Sequence, residues 1–244
     1  MRYAIIGDIH ANLAALTAVI EDIKRQGGVD KVWCLGDVVG YGPDPHECIE
    51  LLRQIKHVCV AGNHDWGAIG KVGITSFNPD AAIACTWTSQ RLTESDIEYL
   101  ENLPMVLEED KFTLVHGSPR VPIWEYLIST GNAGENFSFF KSQCCMVGHS
   151  HKPLVFALGE RGSCSSSQLL PNVKLALGDS RKIINPGSVG QPRDGDPRAS
   201  YAIYDNKTAL VRLFRVEYDI KDTQDKMMER GLPVRLIARL ERGI

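Results

Sequence analysis

The sequence predicts an α/β fold, α+β in some schemes, built as a four-layer α/β/β/α sandwich of two mixed sheets packed face to face and flanked by helices. Three observations predict it. The first sixty or so residues alternate short apolar runs with helical periodicity, the later chain carries short apolar runs with little helix between them, and glycine recurs at the ends of the expected strands. Alternation implies parallel strands covered by helices, and the later strands call for a second sheet to bury them.

The elements follow in order. Residues 2–7 read as a buried strand, after which Asn12 caps a helix whose Leu13, Leu16, Val19, Ile20 and Ile23 recur at helical spacing until Gly27-Gly28 ends it. Residues 31–35 read as a strand, 45–55 as a helix and 57–61 as a third strand. Residues 78–103 read as helix with Trp87 as a packing residue, re-capped at Thr93 or Ser95 and broken at Pro104. Strands are expected at 105–109 and 111–116 around a turn at Asp110 and, after further helix, at 144–147. Runs at 153–158, 175–177, 182–184, 200–204 and 209–214 are assigned to the second sheet. Residues 159–168, with a Ser-Cys-Ser-Ser-Ser core, read as a loop by composition. A charged amphipathic tail from about residue 219 divides into two helices at Gly231-Leu232-Pro233.

At 244 residues the chain is expected to form one domain, 1–244, with that tail as an appendage. A formal net charge of -3 gives no general attraction to nucleic acid, so an anionic ligand must be drawn by a local field. Seven cysteines without regular spacing do not form a disulfide framework, which points to a reducing, cytoplasmic setting. No apolar run approaches the ~20 residues that span a bilayer, so neither a membrane association nor a leader is expected.

Five segments follow expected strands: Gly7-Asp8-Ile9-His10, Gly36-Asp37-Val38-Val39-Gly40, Gly62-Asn63-His64-Asp65, His116-Gly117 and Gly148-His149-Ser150-His151. In α/β sheets ligands collect beyond the carboxyl ends of strands, so these segments can converge. Asp8 with His10, and His149 with His151, sit two residues apart, a spacing that in extended chain aims both side chains to one side to grip a metal. Carboxylate, imidazole and amide oxygen together favour manganese, iron or zinc over magnesium or calcium. Any one of these residues alone is more often a turn, a cap or a buried histidine. Five of the seven histidines fall in the motifs, which leaves His46 and His57 as structural residues.

The ordered set Asp-x-His, Gly-Asp-x-x-Gly, Gly-Asn-His-Asp, His, Gly-His-x-His resembles the calcineurin-like metallophosphoesterases over roughly residues 3 to 193, most closely their small bacterial and archaeal, phosphodiesterase-like branch. The resemblance implies a dinuclear site at the strand ends, with Asp8, His10 and His151 on one ion, Asn63, His116 and His149 on the other, and Asp37 bridging. The ions would be two divalent cations, manganese or iron first and zinc or nickel next. Against Asp8 and Asp37 they leave about two positive charges, or about one with a bridging hydroxide, and that hydroxide would attack phosphorus in line. His64 would donate a proton to the leaving oxygen or stabilise its charge, with Asp65 orienting the ring. The segment Asn185-Pro186-Gly187-Ser188-Val189-Gly190-Gln191-Pro192-Arg193 also resembles this branch, and its amides and Arg193 are candidates for holding phosphate, against a plain turn-rich connection.

The expected function is therefore hydrolysis of phosphodiester or phosphomonoester bonds, diesters slightly preferred, in a phosphorylated small molecule or nucleotide. Alternatives within the resemblance are a serine/threonine protein phosphatase and a nucleotide pyrophosphohydrolase; from another class, a non-catalytic metal-binding interaction subunit. A nuclease is disfavoured, and stable nucleic acid binding is not expected, because the chain shows no basic surface. Residues 232–240 are read as a homodimer contact or a packed terminal helix. Trp33, Trp66 and Trp124 are read as core or cleft-wall residues, Trp66 alone being a functional candidate because it adjoins the Asn-His-Asp motif, and the loop Tyr41-Gly42-Pro43-Asp44-Pro45 is a candidate cleft border.

Overall fold

The computed structural model describes residues 1–244. Its first sheet is ordered β3-β2-β1-β11-β12-β9, with β1 Arg2–Ile6, β2 Lys31–Cys34, β3 His57–Cys59, β9 Lys174–Ala176, β11 Ala199–Asp205 and β12 Leu210–Val216. The second is ordered β4-β5-β6-β10-β7-β8, with β4 Val106–Glu109, β5 Phe112–Val115, β6 Cys144–Met146, β7 Pro153–Leu158, β8 Cys164–Gln168 and β10 Lys182–Pro186. Strands β1, β2 and β3 run parallel, as do β5, β6 and β10, while β11 pairs antiparallel with β1. Both sheets are therefore mixed.

Period-two alternation explains why two sheets stack. Tyr3, Ile5, Trp33 and Leu35 face the second sheet, where Phe112, Leu114, Cys144 and Met146 meet them in one buried cluster. The rings interlock there: Tyr3 stacks on Trp33 at 4.3 Å, and Phe112 reaches Trp33 at 5.1 Å and Tyr204 at 4.8 Å. The intervening residues Ala4, Ile6, Val32 and Cys34 face the other way, into a cluster with α1 (Leu13–Arg25) and α2 (Pro45–Arg53). On the far side Val115, Cys145 and Ile183 pack with Ala133 of α6 (Thr130–Asn136). The layers are thus α/β/β/α. The adjacent cysteines Cys144 and Cys145 point to opposite faces of β6, and all seven cysteines are free.

Helix α3 is only Asn63–Ala68; α4 (Pro79–Ser89) and α5 (Glu94–Glu101) follow, the latter capped by Thr93. The tail forms α7 (Ile220–Glu229) and α8 (Val234–Leu240), and its Met227, Leu236, Ile237 and Leu240 pack with Tyr41, Ala81 and Ala84. Trp87 joins that contact, donating from Nε1 to the Arg230 carbonyl at 3.1 Å. No helix is long and apolar enough to cross a membrane.

Two expectations are corrected. The later strands do not make up a second sheet of their own: β9, β11 and β12 extend the first sheet, because the chain leaves β10 and crosses to the antiparallel partner of β1. The serine-rich stretch is not all loop. Residues 164–168 form the edge strand β8 on β7, a position where small polar side chains are tolerated because one side faces water.

Candidate metal centre

Asp8 and His10 follow β1, Asp37 follows β2, Asn63 opens α3 just beyond β3, His116 follows β5, and His149 and His151 follow β6. All seven side chains are buried. Their polar atoms gather in two groups, Asp8 with His10 and His151, and Asp37 with His116 and His149, each within 4.8 Å. Asn63 Oδ1 joins the second group at 3.2 Å from His116 Nε2. Asp37 Oδ2 lies 3.3 Å from His116 Nε2 and 3.7 Å from His10 Nε2, between the two groups. A third triad, His10, Asp37 and His64, is equally close.

The backbone that aims these groups is not the extended chain that the spacing implied. Asp8, His10, Asp37, His149 and His151 are all left-handed, with φ of 50°, 50°, 51°, 63° and 58°. Asp8 and His10 still share one group, but His149 and His151 part into different groups. Left-handed residues other than glycine cost of order 1–3 kcal/mol each and persist where the surroundings over-determine them. Here Asp8 N donates to the Gly36 carbonyl at 3.0 Å, His10 N to the Asp37 carbonyl at 2.9 Å, and His149 N to Asp8 Oδ1 at 3.0 Å. Two glycines admit the close approach: a Cβ on Gly62 would lie 2.0 Å from Asp37 Oδ1, and one on Gly40 would lie 2.5 Å from His64 Nδ1.

The outer ring nitrogens identify the tautomers. His10 Nδ1 faces the Val39 carbonyl (3.3 Å), His151 Nδ1 the Gln191 carbonyl (2.6 Å), His116 Nδ1 the Leu35 carbonyl (2.8 Å) and His149 Nε2 the Trp124 carbonyl (3.2 Å). A carbonyl only accepts, so each of these nitrogens carries the hydrogen. The opposite nitrogens face one another, His10 Nε2 to His151 Nε2 at 3.1 Å and His116 Nε2 to His149 Nδ1 at 3.1 Å, and each is a lone pair whenever its ring is neutral. Asp8 Oδ2 is buried beside them with no partner. Nitrogens and carboxylate oxygens converging in this way fit a pair of cations, and carbonyl-oriented imidazoles are the usual supports of metal-binding histidines.

The electrostatics agree. Burial holds His10 and His151 well below the ordinary histidine value and lowers His149 to about 3, leaving them neutral. Burial raises Asp8 to about 7, opposed by the charge of His116. For His116 burial opposes protonation, but Asp37 outweighs it and lifts the ring to about 9. Without a cation, protons on Asp8 and His116 hold its place.

His64 is buried against Tyr41 (4.3 Å), Phe77 (4.7 Å) and His10 (5.0 Å); burial lowers it to about 4, and its Nδ1 has no partner. Asp65 does not bond to that ring. Its oxygens accept from the backbone N–H groups of Val38, Val39 and Gly62 at 2.8, 3.1 and 3.0 Å, so it fixes the two loops rather than the imidazole. The 185–193 segment does return to the site, but most of its loop amides are committed within the protein: Val189 N donates to the Gly7 carbonyl and Gly190 N to the Asp8 carbonyl, each at 3.0 Å, and Gln191 N to Ser188 Oγ at 2.8 Å. Arg193 remains available. It forms no ion pair among the chain's salt bridges, donates to Gln191 Oε1 at 2.8 Å and lies 5.8 Å from the Tyr41 ring centroid.

Tyr41 borders a cavity of about 210 Å³ that abuts Asn63, His64 and His149. Phe77, Trp124 and Tyr126 line it as well; Trp124 is the cleft-wall residue that the sequence allowed, whereas Phe77 and Tyr126 were passed over in favour of Trp66. Trp66 is packed in the helix-side core instead. The available signal was the pair Trp124 and Tyr126 in a stretch after His116 without helical or strand periodicity. His46 pairs with Asp96 and His57 with the Ile55 carbonyl and Tyr99, both away from the site.

Residues 1–209 match the calcineurin-like phosphoesterase superfamily domain. A metallophosphoesterase crystal structure from Sphaerobacter thermophilus is similar with a TM-score of 0.91 and 47% identity, over 100% of this chain and 99% of that one. An uncharacterized protein from Methanocaldococcus jannaschii is 43% identical over 246 residues, 98% of this chain and 97% of its own length. A symmetrical bis(5'-nucleosyl)-tetraphosphatase from Pseudomonas putida is 37% identical over 62 residues, 25% of this chain and 22% of that protein.

Proposed function

The chain belongs to the calcineurin-like phosphoesterase superfamily and is a hydrolase of phosphoric esters; from that premise we propose that it uses a dinuclear metal site to cleave phosphodiesters in preference to phosphomonoesters. The observation that carries the dinuclear site is the set of four histidines whose outer nitrogens are committed to carbonyls while their inner nitrogens converge on Asp8 and Asp37. In it Asp8, His10 and His151 hold one divalent cation, Asn63, His116 and His149 the other, and Asp37 serves both. Manganese or iron suits this mixed donor set, with zinc or nickel next.

When bound, such cations supply positive charge for the phosphate and an activated water as nucleophile. The chain's own residues do the rest. His64, a neutral ring beside both groups but committed to neither, donates a hydrogen bond from its N–H to the leaving oxygen and so stabilises the charge that develops there. Arg193, a cation with no acidic partner, holds a phosphate oxygen. Asp65 is a positioning residue, tying the turn that carries His64 to the loop that carries Asp37. A nucleotide substrate is the second reading, favoured by the partial likeness to a tetraphosphatase.

The test is metal-stripped protein reconstituted with manganese, iron, zinc or nickel and assayed on bis-p-nitrophenyl phosphate and p-nitrophenyl phosphate. Faster turnover of the diester is expected with at least one metal. Inertness towards both esters with all four would leave the scaffold reading in its place.

A further inference from the structure

We propose that the aromatic-lined cavity beside the site receives a flat ring carried by the substrate, so that the preferred substrates are phosphate esters of nucleosides. The proposal rests on the phosphoesterase reading and names its substrate class. Asn63, His64 and His149 form one wall of the cavity, and Tyr41, Phe77, Trp124 and Tyr126 form the others. A phosphate held between the two ligand groups therefore has this aromatic-lined space next to it for its ester substituent.

The rings are placed to stack on a guest. Tyr126 lies flat on His149, centroids 3.8 Å apart and planes at 21°, yet is 46% exposed, so ring surface remains free beside the cleft. Phe77 packs on His64 at 4.7 Å and meets Trp124 edge-on at 5.8 Å and 72°. These residues come from three separate stretches of chain and meet only here. Base–aromatic stacking tolerates any base because each has a π-face.

The rest of the lining narrows the guest further. No Asp, Glu, Lys or Arg borders the cavity, which disfavours the charged flanks of a phosphopeptide. Ser76 and Asn78 supply polar groups for the edge of a base; Asn78 uses its carbonyl oxygen to cap α4 and has its amide hydrogens to offer. At about 210 Å³ the space is smaller than the ~300–1,000 Å³ of pockets for drug-sized ligands. It suits one ring system, with the remainder of a larger nucleotide outside.

The experiment compares binding of adenosine 5'-monophosphate and ribose 5-phosphate to the manganese-loaded protein, read by tryptophan fluorescence and by calorimetry. Both ligands carry the same phosphate, so any change in metal loading cancels from the comparison. Wild type is expected to bind the adenosine ligand about tenfold more tightly, Tyr126→Ala to lose most of that preference, and Tyr126→Phe to keep it. Equal affinities in wild type, or a preference untouched by both Tyr126→Ala and Phe77→Leu, would overturn the subsite. Turnover is not needed for this readout. A protein inert to every ester that still prefers the adenosine ligand retains the subsite and loses the phosphoesterase reading; an active one that binds both ligands equally does the reverse.

Discussion

His64 touches Tyr41, Phe77 and His10 while its Nδ1 stays unpaired, so removing the ring takes away a donor and leaves both ligand groups whole. His64→Ala is expected to lower kcat by about 10²–10⁴ with metal content unchanged by elemental analysis. Parallel loss of metal would instead put the ring in the coordination sphere, as its place in the third triad allows. The protons on Asp8 and His116 give a second expectation. Their folded-state values, raised to about 7 by burial and to about 9 by Asp37 against burial, mean that the cation-free protein holds both protons below pH 7 and one between 7 and 9. Cation binding expels them, so affinity rises with pH, with about two protons released below 7 and about one above it. Calorimetry in buffers of different ionisation enthalpy at about pH 6 and pH 8 measures the difference; equal release at both would refute the assignment.

Helix α3 shows how an element too short for periodicity escapes a sequence reading. Its six residues begin with Asn63 and His64 and carry no amphipathic stripe, and what holds it is Asp65, reaching Gly62 on its own turn and Val38 and Val39 on the next loop. Asp65→Ala strands three buried N–H groups and is expected to cost roughly 3 kcal/mol or more by urea denaturation, with Asp65→Asn recovering part. An unchanged midpoint in Asp65→Ala would show that the loops hold themselves. The long elements were legible because their signals are local: Asn12 and Thr93 cap where they should, and Gly27 closes α1. The partition of strands was not, because nothing within residues 199–216 records that β11 pairs with β1 rather than with β10. Strand β8 was missed for the same reason, its identity coming from its partner β7 rather than from its serines. The metal-ligand candidates were readable because glycine and histidine mark them, and the Tyr41 loop because it follows Asp37; the aromatic wall as a whole was not, since Phe77 and Tyr126 become neighbours of Tyr41 and Trp124 only in three dimensions.

At the scale of the molecule, each ligand group draws on both sheets. Asp8 and His10 hang from the first sheet and His151 from the second, and Asp37 and Asn63 likewise face His116 and His149. Ligands that bind only the folded state stabilise it by ~2.7 kcal/mol at a hundredfold excess over Kd, so chelation is expected to lower the melting temperature. Amide exchange should accelerate first at residues 7–11 and 148–151 and leave β7 and β8 unaffected. Uniform acceleration along the chain would contradict this. Cations seated there would act as rivets through the two halves of the sandwich, so the same ions that serve turnover would also govern how long the protein lasts. A cell short of metal would lose this protein twice, once as an idle catalyst and again as a loosened clasp open to proteases.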